Sequence, residues 1–161
     1  METHIVEQTH KLLIKNKKNI AVAESCTGGE VSNLLTGISG SSQYFILGVV
    51  VYSNRAKETV LKVPSYFISK YGAVSKEAAC FMAKKIRKIA KADLGIGITG
   101  IAGPAGGSKE KPVGTVFIAI DTQNKKVCKR FHFRGNRLSI REKAALKVLD
   151  LLTSLLTKCN V

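Results

Sequence analysis

Paired cysteines are missing from this sequence. Its four, Cys26, Cys80, Cys128 and Cys159, stand 54, 48 and 31 residues apart with no CxxC among them, which argues against both a zinc cluster and a disulfide framework. Histidine is scarce as well. His4 and His10 share one segment and His132 lies far downstream, so a serine, histidine and acid triad has no support. No window is apolar for long enough to span a bilayer, and the opening METHIVEQTH lacks the basic, apolar, small-residue order of a signal peptide. A reduced, cytoplasmic protein is expected. Acidic residues number only 11 against 26 lysines and arginines, a net charge of +15. That charge attracts polyanions, but the cations recur at helical spacing (Lys84, Lys85, Arg87, Lys88, Lys91) or sit in polar loops, without a basic arm interleaved with aromatics. A solvated lysine-rich surface is the expectation, with nucleic acid the less favoured partner.

The 161 residues, 45% of them hydrophobic, suffice for one core and one domain, 1–161. Residues 3–15 read as an amphipathic helix. Ile20 to Ala23 reads as a short buried strand, and Thr27 with Glu30 as a capping box that starts a helix near Gly28. The run YFILGVVVYS (44–53) is expected to be a central strand. Ser53 or Asn54 should cap a short helix ending before Pro64. Ser75 should open another, with Ala78, Ala79, Met82, Ala83, Ile86, Ile89 and Ala90 facing inward. LGIGIT (94–99) is a further buried strand. Residues 100–114 hold five of the 14 glycines and two of the three prolines, an ordered loop long enough to be functional. TVFIAI (115–120) and KVCKRFHF (126–133) alternate as a hairpin, and 138–157 form a long helix. The expected fold is an α/β three-layer α/β/α sandwich with a mixed, mostly parallel sheet.

Three motifs fail in context. GIGITG (95–100) matches GxGxxG, with Asp121 where a ribose-binding acid would stand, but prolines follow where the dinucleotide motif needs a helix. Ser108 and Lys111 have SxxK spacing without a helix to join them. Tyr52 and Lys57 are five residues apart rather than four, so they do not share a helical face.

AESCTGG (23–29) places Ser25 between a strand end and a helix start. A serine there is commonly turn chemistry; as a nucleophile it needs a base. Lysine is the other option for that base, if it is kept neutral by burial or by a neighbouring cation. Lys57, a few residues beyond the strand at 44–53 and close to Arg55, is the best candidate. Cys26 is the alternative nucleophile, or simply a packed small side chain. Parallel strands bring their ends to one edge, where Thr99 and the glycine-rich loop could supply backbone N–H groups to an oxyanion or a phosphate.

AESCTGG, GVVVYSNRAK (48–57), YGAVSKE (71–77), TGIAGPAGG (99–107) and KPVGTV (111–116), in this order and spacing, closely resemble the CinA carboxy-terminal domain family, the nicotinamide mononucleotide deamidases. The family's usual amino-terminal molybdopterin-binding-like domain has no counterpart here, which suggests the stand-alone form. The resemblance implies hydrolysis of nicotinamide mononucleotide to nicotinic acid mononucleotide and ammonia, a step of pyridine-nucleotide salvage needing no metal or other cofactor. It implies Ser25 as nucleophile, Lys57 as general base and Tyr52 and Thr99 beside them. Thr27, Gly28, Gly29, Asn54 and the loop glycines Gly100, Gly103, Gly106 and Gly107 would line the substrate site. Arg137, and Arg141 one turn later, would contact the phosphate. A homodimer is also implied. Two positions depart from the family's pattern: Ala105 replaces a glycine of GPGGG, and Asn136 replaces the aspartate before the arginine. The rival readings are a non-catalytic module that binds a nucleotide, nucleic acid or protein in competence or DNA repair, and an amidase for another small amide.

Overall fold

In the computed structural model, which describes residues 2–158, eleven helices and strands follow one another, with three helices in a row before the last three strands. In order they are α1 (Glu2–Lys15), β1 (Ile20–Glu24), α2 (Glu30–Thr36), β2 (Phe45–Val50), α3 (Asn54–Leu61), α4 (Ser65–Tyr71), α5 (Lys76–Ala90), β3 (Leu94–Gly100), β4 (Thr115–Asp121), β5 (Lys126–His132) and α6 (Arg137–Lys158), with a short 3₁₀ turn at Ser41–Gln43. One mixed sheet runs in the order β2-β1-β3-β4-β5. β1 pairs in parallel with β2 and β3, whereas β4 is antiparallel to both its neighbours. Four strands therefore point one way and β4 alone runs back.

The two faces of the sheet follow from strand periodicity. Ile20 and Val22 of β1, Leu94, Ile96 and Ile98 of β3, and Val116, Ile118 and Ile120 of β4 pack against α1, α2 and α6. On α6 the buried residues Ile140, Ala144, Val148 and Leu152 recur every fourth position, the stripe that a core-facing helix requires. On the opposite face Ala21 and Ala23 of β1 meet Leu61, Ile68, Met82 and Ile86 of the other helices, while Ala79, Ala83, Phe117 and Ala119 close a smaller cluster. The architecture is the three-layer α/β/α sandwich expected.

The glycines of GIGITG act in packing. A methyl at Gly95 would collide with the carbonyl of Ala83, and one at Gly97 with the carbonyl of Ala79. Their absence lets α5 lie directly on β3, the middle strand.

Four local expectations are corrected. β2 lies at the sheet edge rather than the centre, and its burial alternates, with Ile46 49% and Val50 50% exposed. β-branched composition reports fitness for a pleated surface and not depth in the sheet. Ile89 is exposed, because it lies off the face of α5 on which Met82, Ile86 and Ala90 pack. α4 follows Pro64, which gives no side-chain cap and so left no polar start signal in the sequence. The Thr27–Glu30 capping box does not form: the residue before α2 is Gly29, in a left-handed conformation, and the Thr27 hydroxyl has no hydrogen-bond partner. Another acid caps this helix.

Candidate active site

That acid is Glu24, the last residue of β1, and it is fully buried. Its Oε2 accepts from the N–H groups of Gly29 and Val31, both at 3.1 Å; its Oε1 accepts from the Ser32 N–H at 2.8 Å and the Ser32 hydroxyl at 2.7 Å. Four donors and no acceptor suit an ionised carboxylate at a helix N-terminus. The chain between Glu24 and Gly29 is thereby pinned at both ends. Sequence reasoning missed Glu24. Its signal was an acid inside a buried strand, a position that charged groups occupy only when hydrogen-bonded.

Ser25 extends β1 by one hydrogen bond, its N–H reaching the Ile98 carbonyl at 3.0 Å, and only 7% of it is exposed. Lys57 approaches from α3, whose start is capped by the Ser53 hydroxyl accepting from the Ala56 N–H at 3.0 Å. The lysine is 2% exposed. Its Nζ lies 3.0 Å from Ser25 Oγ, 2.9 Å from the Val51 carbonyl and 3.2 Å from the Tyr52 carbonyl. The two carbonyls can only accept. A neutral amine has two N–H groups to give them and one lone pair, which is left for the serine hydroxyl. Burial lowers the Lys57 pKa from its ordinary 10.5, against a smaller opposing effect from Cys26. Arg55, expected to help, is exposed and is not a cause of that shift. Cys26 itself is pushed up to about 12, chiefly by burial. At neutral pH it is a thiol packed in the core, which argues against it as the nucleophile.

A cavity of about 280 Å³ opens onto this pair, lined also by Tyr52, Asn54, Thr99, Gly100, Gly103, Gly106 and Arg137, and by Cys26, Ala73, Val74, Ile101, Ala102 and Ala105. The Thr99 hydroxyl donates to the Ala73 carbonyl at 2.7 Å, and the Lys111 ammonium donates to the Val74 carbonyl at 2.7 Å. These two bonds hold the wall that precedes α5. Tyr52 is 55% exposed, and its phenol accepts from Arg137 Nη2 at 2.6 Å, so it is the tyrosine carbonyl rather than the ring that meets Lys57. Arg137 Nη1 also donates to the Gly103 carbonyl at 2.7 Å, which bridges the cavity rim from α6 to the loop.

Thr27, Gly28, Gly29, Gly107 and Arg141 are not among the cavity-lining residues. Arg141 instead donates from Nε and Nη2 to the Thr27 carbonyl, at 3.2 and 2.9 Å, and its guanidinium lies over Gly28. It clamps the Ser25–Gly29 turn from behind. A larger cavity of about 620 Å³ at the opposite end of the sheet, bordered by Lys18, Arg87, Lys91 and Lys125, holds no pairing of a nucleophile with a buried base. Size does not choose the site; chemistry does.

The model of the CinA C-terminal domain matches residues 2–156. The chain belongs to the CinA C-terminal domain family. Curated relatives include a Thermoanaerobacter pseudethanolicus protein whose name carries the words competence-damage inducible protein, 49% identical over 93% of this chain and 36% of its own length. A CinA-like protein of Thermotoga neapolitana is 46% identical over 87% of this chain and 34% of its own length. The chain thus spans about a third of the curated relatives it matches. Among solved structures, a CinA superfamily protein from Klebsiella pneumoniae superposes with a TM-score of 0.94 at 29% identity, covering 98% of this chain and 99% of that one. One from Enterobacter cloacae gives 0.91 at 34% identity, covering 97% and 92%.

Both departures from the CinA pattern find a physical accommodation. The left-handed backbone of the loop falls on Gly103 and Gly106, and Ala105 has no positive φ, so the extra methyl costs no strain there. Asn136 Oδ1 accepts from the Ser139 N–H at 2.9 Å, a cap that asparagine supplies as well as aspartate.

Proposed function

We propose that this CinA domain is an amidohydrolase that converts nicotinamide mononucleotide to nicotinic acid mononucleotide and ammonia. The observation that carries the reading is the 3.0 Å approach of a buried lysine amine to Ser25 Oγ, with two carbonyls occupying the amine's remaining directions. The hydroxyl proton passes to Lys57 Nζ as Ser25 Oγ attacks the carboxamide carbon. Backbone N–H groups of the Gly100–Gly106 loop supply donors for the developing oxyanion. The Lys57 ammonium returns the proton to the departing nitrogen, ammonia leaves, and an ester remains on Ser25. Water then gives a proton to Lys57 and attacks the ester, and collapse restores the serine hydroxyl. Arg137, at the rim, offers a planar fork to the phosphate in place of its contacts with Tyr52 and Gly103.

Ammonia release from nicotinamide mononucleotide, nicotinamide riboside and nicotinamide tests the reading. Turnover should favour the mononucleotide and vanish in Ser25→Ala. Full turnover in that variant, or none in the unaltered protein, overturns it. Salt-dependent DNA binding that survives Ser25→Ala, without any turnover, would point to the binding module instead.

A further inference from the structure

On β5 the side chains of Lys126, Cys128 and Arg130 share the sheet face that carries α5, since their partners across the ladder are Asp121, Ala119 and Phe117, and Ala119 and Phe117 belong to the cluster beneath α5. Cys80 projects from α5 onto the same cluster, so both cysteines pack on Ala79, Ala83, Phe117 and Ala119. Each is half-buried. Cys128 Sγ reaches toward the Lys76 carbonyl at 3.9 Å, one helical turn before Cys80 in α5, which sets the two thiols beside one another. Lys76 and Lys126, both exposed, flank the pair, with Glu77 the nearby acid. Two half-buried thiols side by side between cations are an arrangement that inert packing does not require.

We propose that Cys80 and Cys128 form a thiol-disulfide exchange site outside the candidate active site, Cys80 being the attacking thiol, Cys128 the resolving one, and an anionic low-molecular-weight disulfide the substrate. The Cys80 thiolate attacks one sulfur of RS–SR, the S–S bond breaks, and RS⁻ leaves and takes a proton from solvent. Cys128 gives up its proton and attacks Cys80 Sγ, and a second thiolate departs. The balance is two protein thiols plus RS–SR giving one Cys80–Cys128 disulfide and two RSH, two electrons passing to the small molecule. Consistent with the assignment, the Cys80 pKa is lowered to about 7, first by the hydrogen bond from Cys128 and then by Lys126 and Lys76. The Cys128 thiol is held up by the same partner.

The site stands apart from the proposed amidase activity, and its test reads no turnover. Reduced protein in a Cys159→Ser background is exposed to oxidised glutathione near pH 7.5, quenched by alkylation and mapped by peptide mass. A Cys80–Cys128 cross-linked peptide is expected, with Cys26 alkylated only after unfolding. Cys128→Ser should retain one glutathione on Cys80, and Cys80→Ser should retain none. Oxidised glutathione should react about tenfold faster than the cationic disulfide cystamine, a gap that salt narrows. Free thiols at both positions, or equal labelling in Cys80→Ser, overturns the proposal; equal rates for the two disulfides overturn its anionic substrate. Thermal unfolding of each variant, matched to the parent, shows that the readout comes from the thiols and not from misfolding.

Discussion

In the proposed reaction Lys57 has to be neutral to take a proton and charged to give one back, and its burial serves the first requirement. Burial is the main cause that lowers its pKa from 10.5, and below that lowered pKa the amine has no lone pair to offer. The turnover ratio kcat/KM for nicotinamide mononucleotide should therefore fall as pH drops through the Lys57 pKa, and the limb should lie below the range of a free lysine. A pH-rate profile checks this; an acid limb near 10.5 would contradict a buried base. Lys57→Ala should cost about 10² to 10⁴ in kcat, the usual worth of a positioned proton acceptor. Glu24 belongs to the same scale but acts through others. Replacing it with glutamine keeps the shape and halves its capacity to accept, leaving an NH₂ against backbone donors. Glu24→Gln should destabilise the fold by about 1–3 kcal/mol. Because the turn that carries Ser25 loosens, kcat should drop with little change in KM, and Glu24→Asp should not rescue it, being too short to span Gly29 to Ser32. Unfolding midpoints and steady-state kinetics read the two effects separately.

Among the elements, α5 lies so close on β3 that Gly95 and Gly97 leave no room for a side chain. Gly97→Ala should lower stability by about 1–3 kcal/mol or prevent folding, whereas Lys84→Ala on the exposed face of the same helix should stay within about 0.5 kcal/mol. Denaturant titration of the two variants decides whether the close approach of α5 explains the glycines. This contact also shows why the sequence could be read so far and no further. Helical periodicity in α5 and α6, the caps Ser53 and Ser75, and the 115–133 hairpin were legible because each is a local pattern. β2 was misplaced because its composition is equally suitable for edge and centre. The capping box failed for a tertiary reason: Glu24 reaches α2 from the strand before it, a contact that no spacing rule within the helix encodes. At the site, Ser25 and Lys57 could be named from their motif, and the cavity gathers them with Tyr52, Asn54, Thr99 and Arg137. Arg141 lies one turn beyond Arg137 in α6, yet its guanidinium turns to Thr27 and away from the cavity. Side-chain direction on a helix was the information missing.

For the whole molecule, a lysine whose pKa is lowered by burial is a burden on stability. Below its lowered pKa the folded protein must hold an ammonium out of water; above it, the folded form holds a neutral amine while the unfolded chain remains protonated up to 10.5. In that interval the unfolded state binds more protons, so the contribution of Lys57 to stability rises with pH. Lys57→Met removes the group and keeps its volume. The variant should be more stable than the parent by about 1–4 kcal/mol at neutral or lower pH, and the difference should shrink as pH climbs toward 10.5. Cys26 works in the opposite direction, since its pKa rises from 9.0 to about 12 on folding and the unfolded thiol loses its proton first. Above about pH 9 both proteins should weaken for that reason, and because Cys26 and Lys57 influence each other's titration, the difference between the two proteins is read below that pH. Unfolding midpoints of the pair from pH 6 to 9 measure it. A gap that widens with pH would mean that Lys57 stabilises the fold as a buried cation, and the proton acceptor would have to be sought elsewhere.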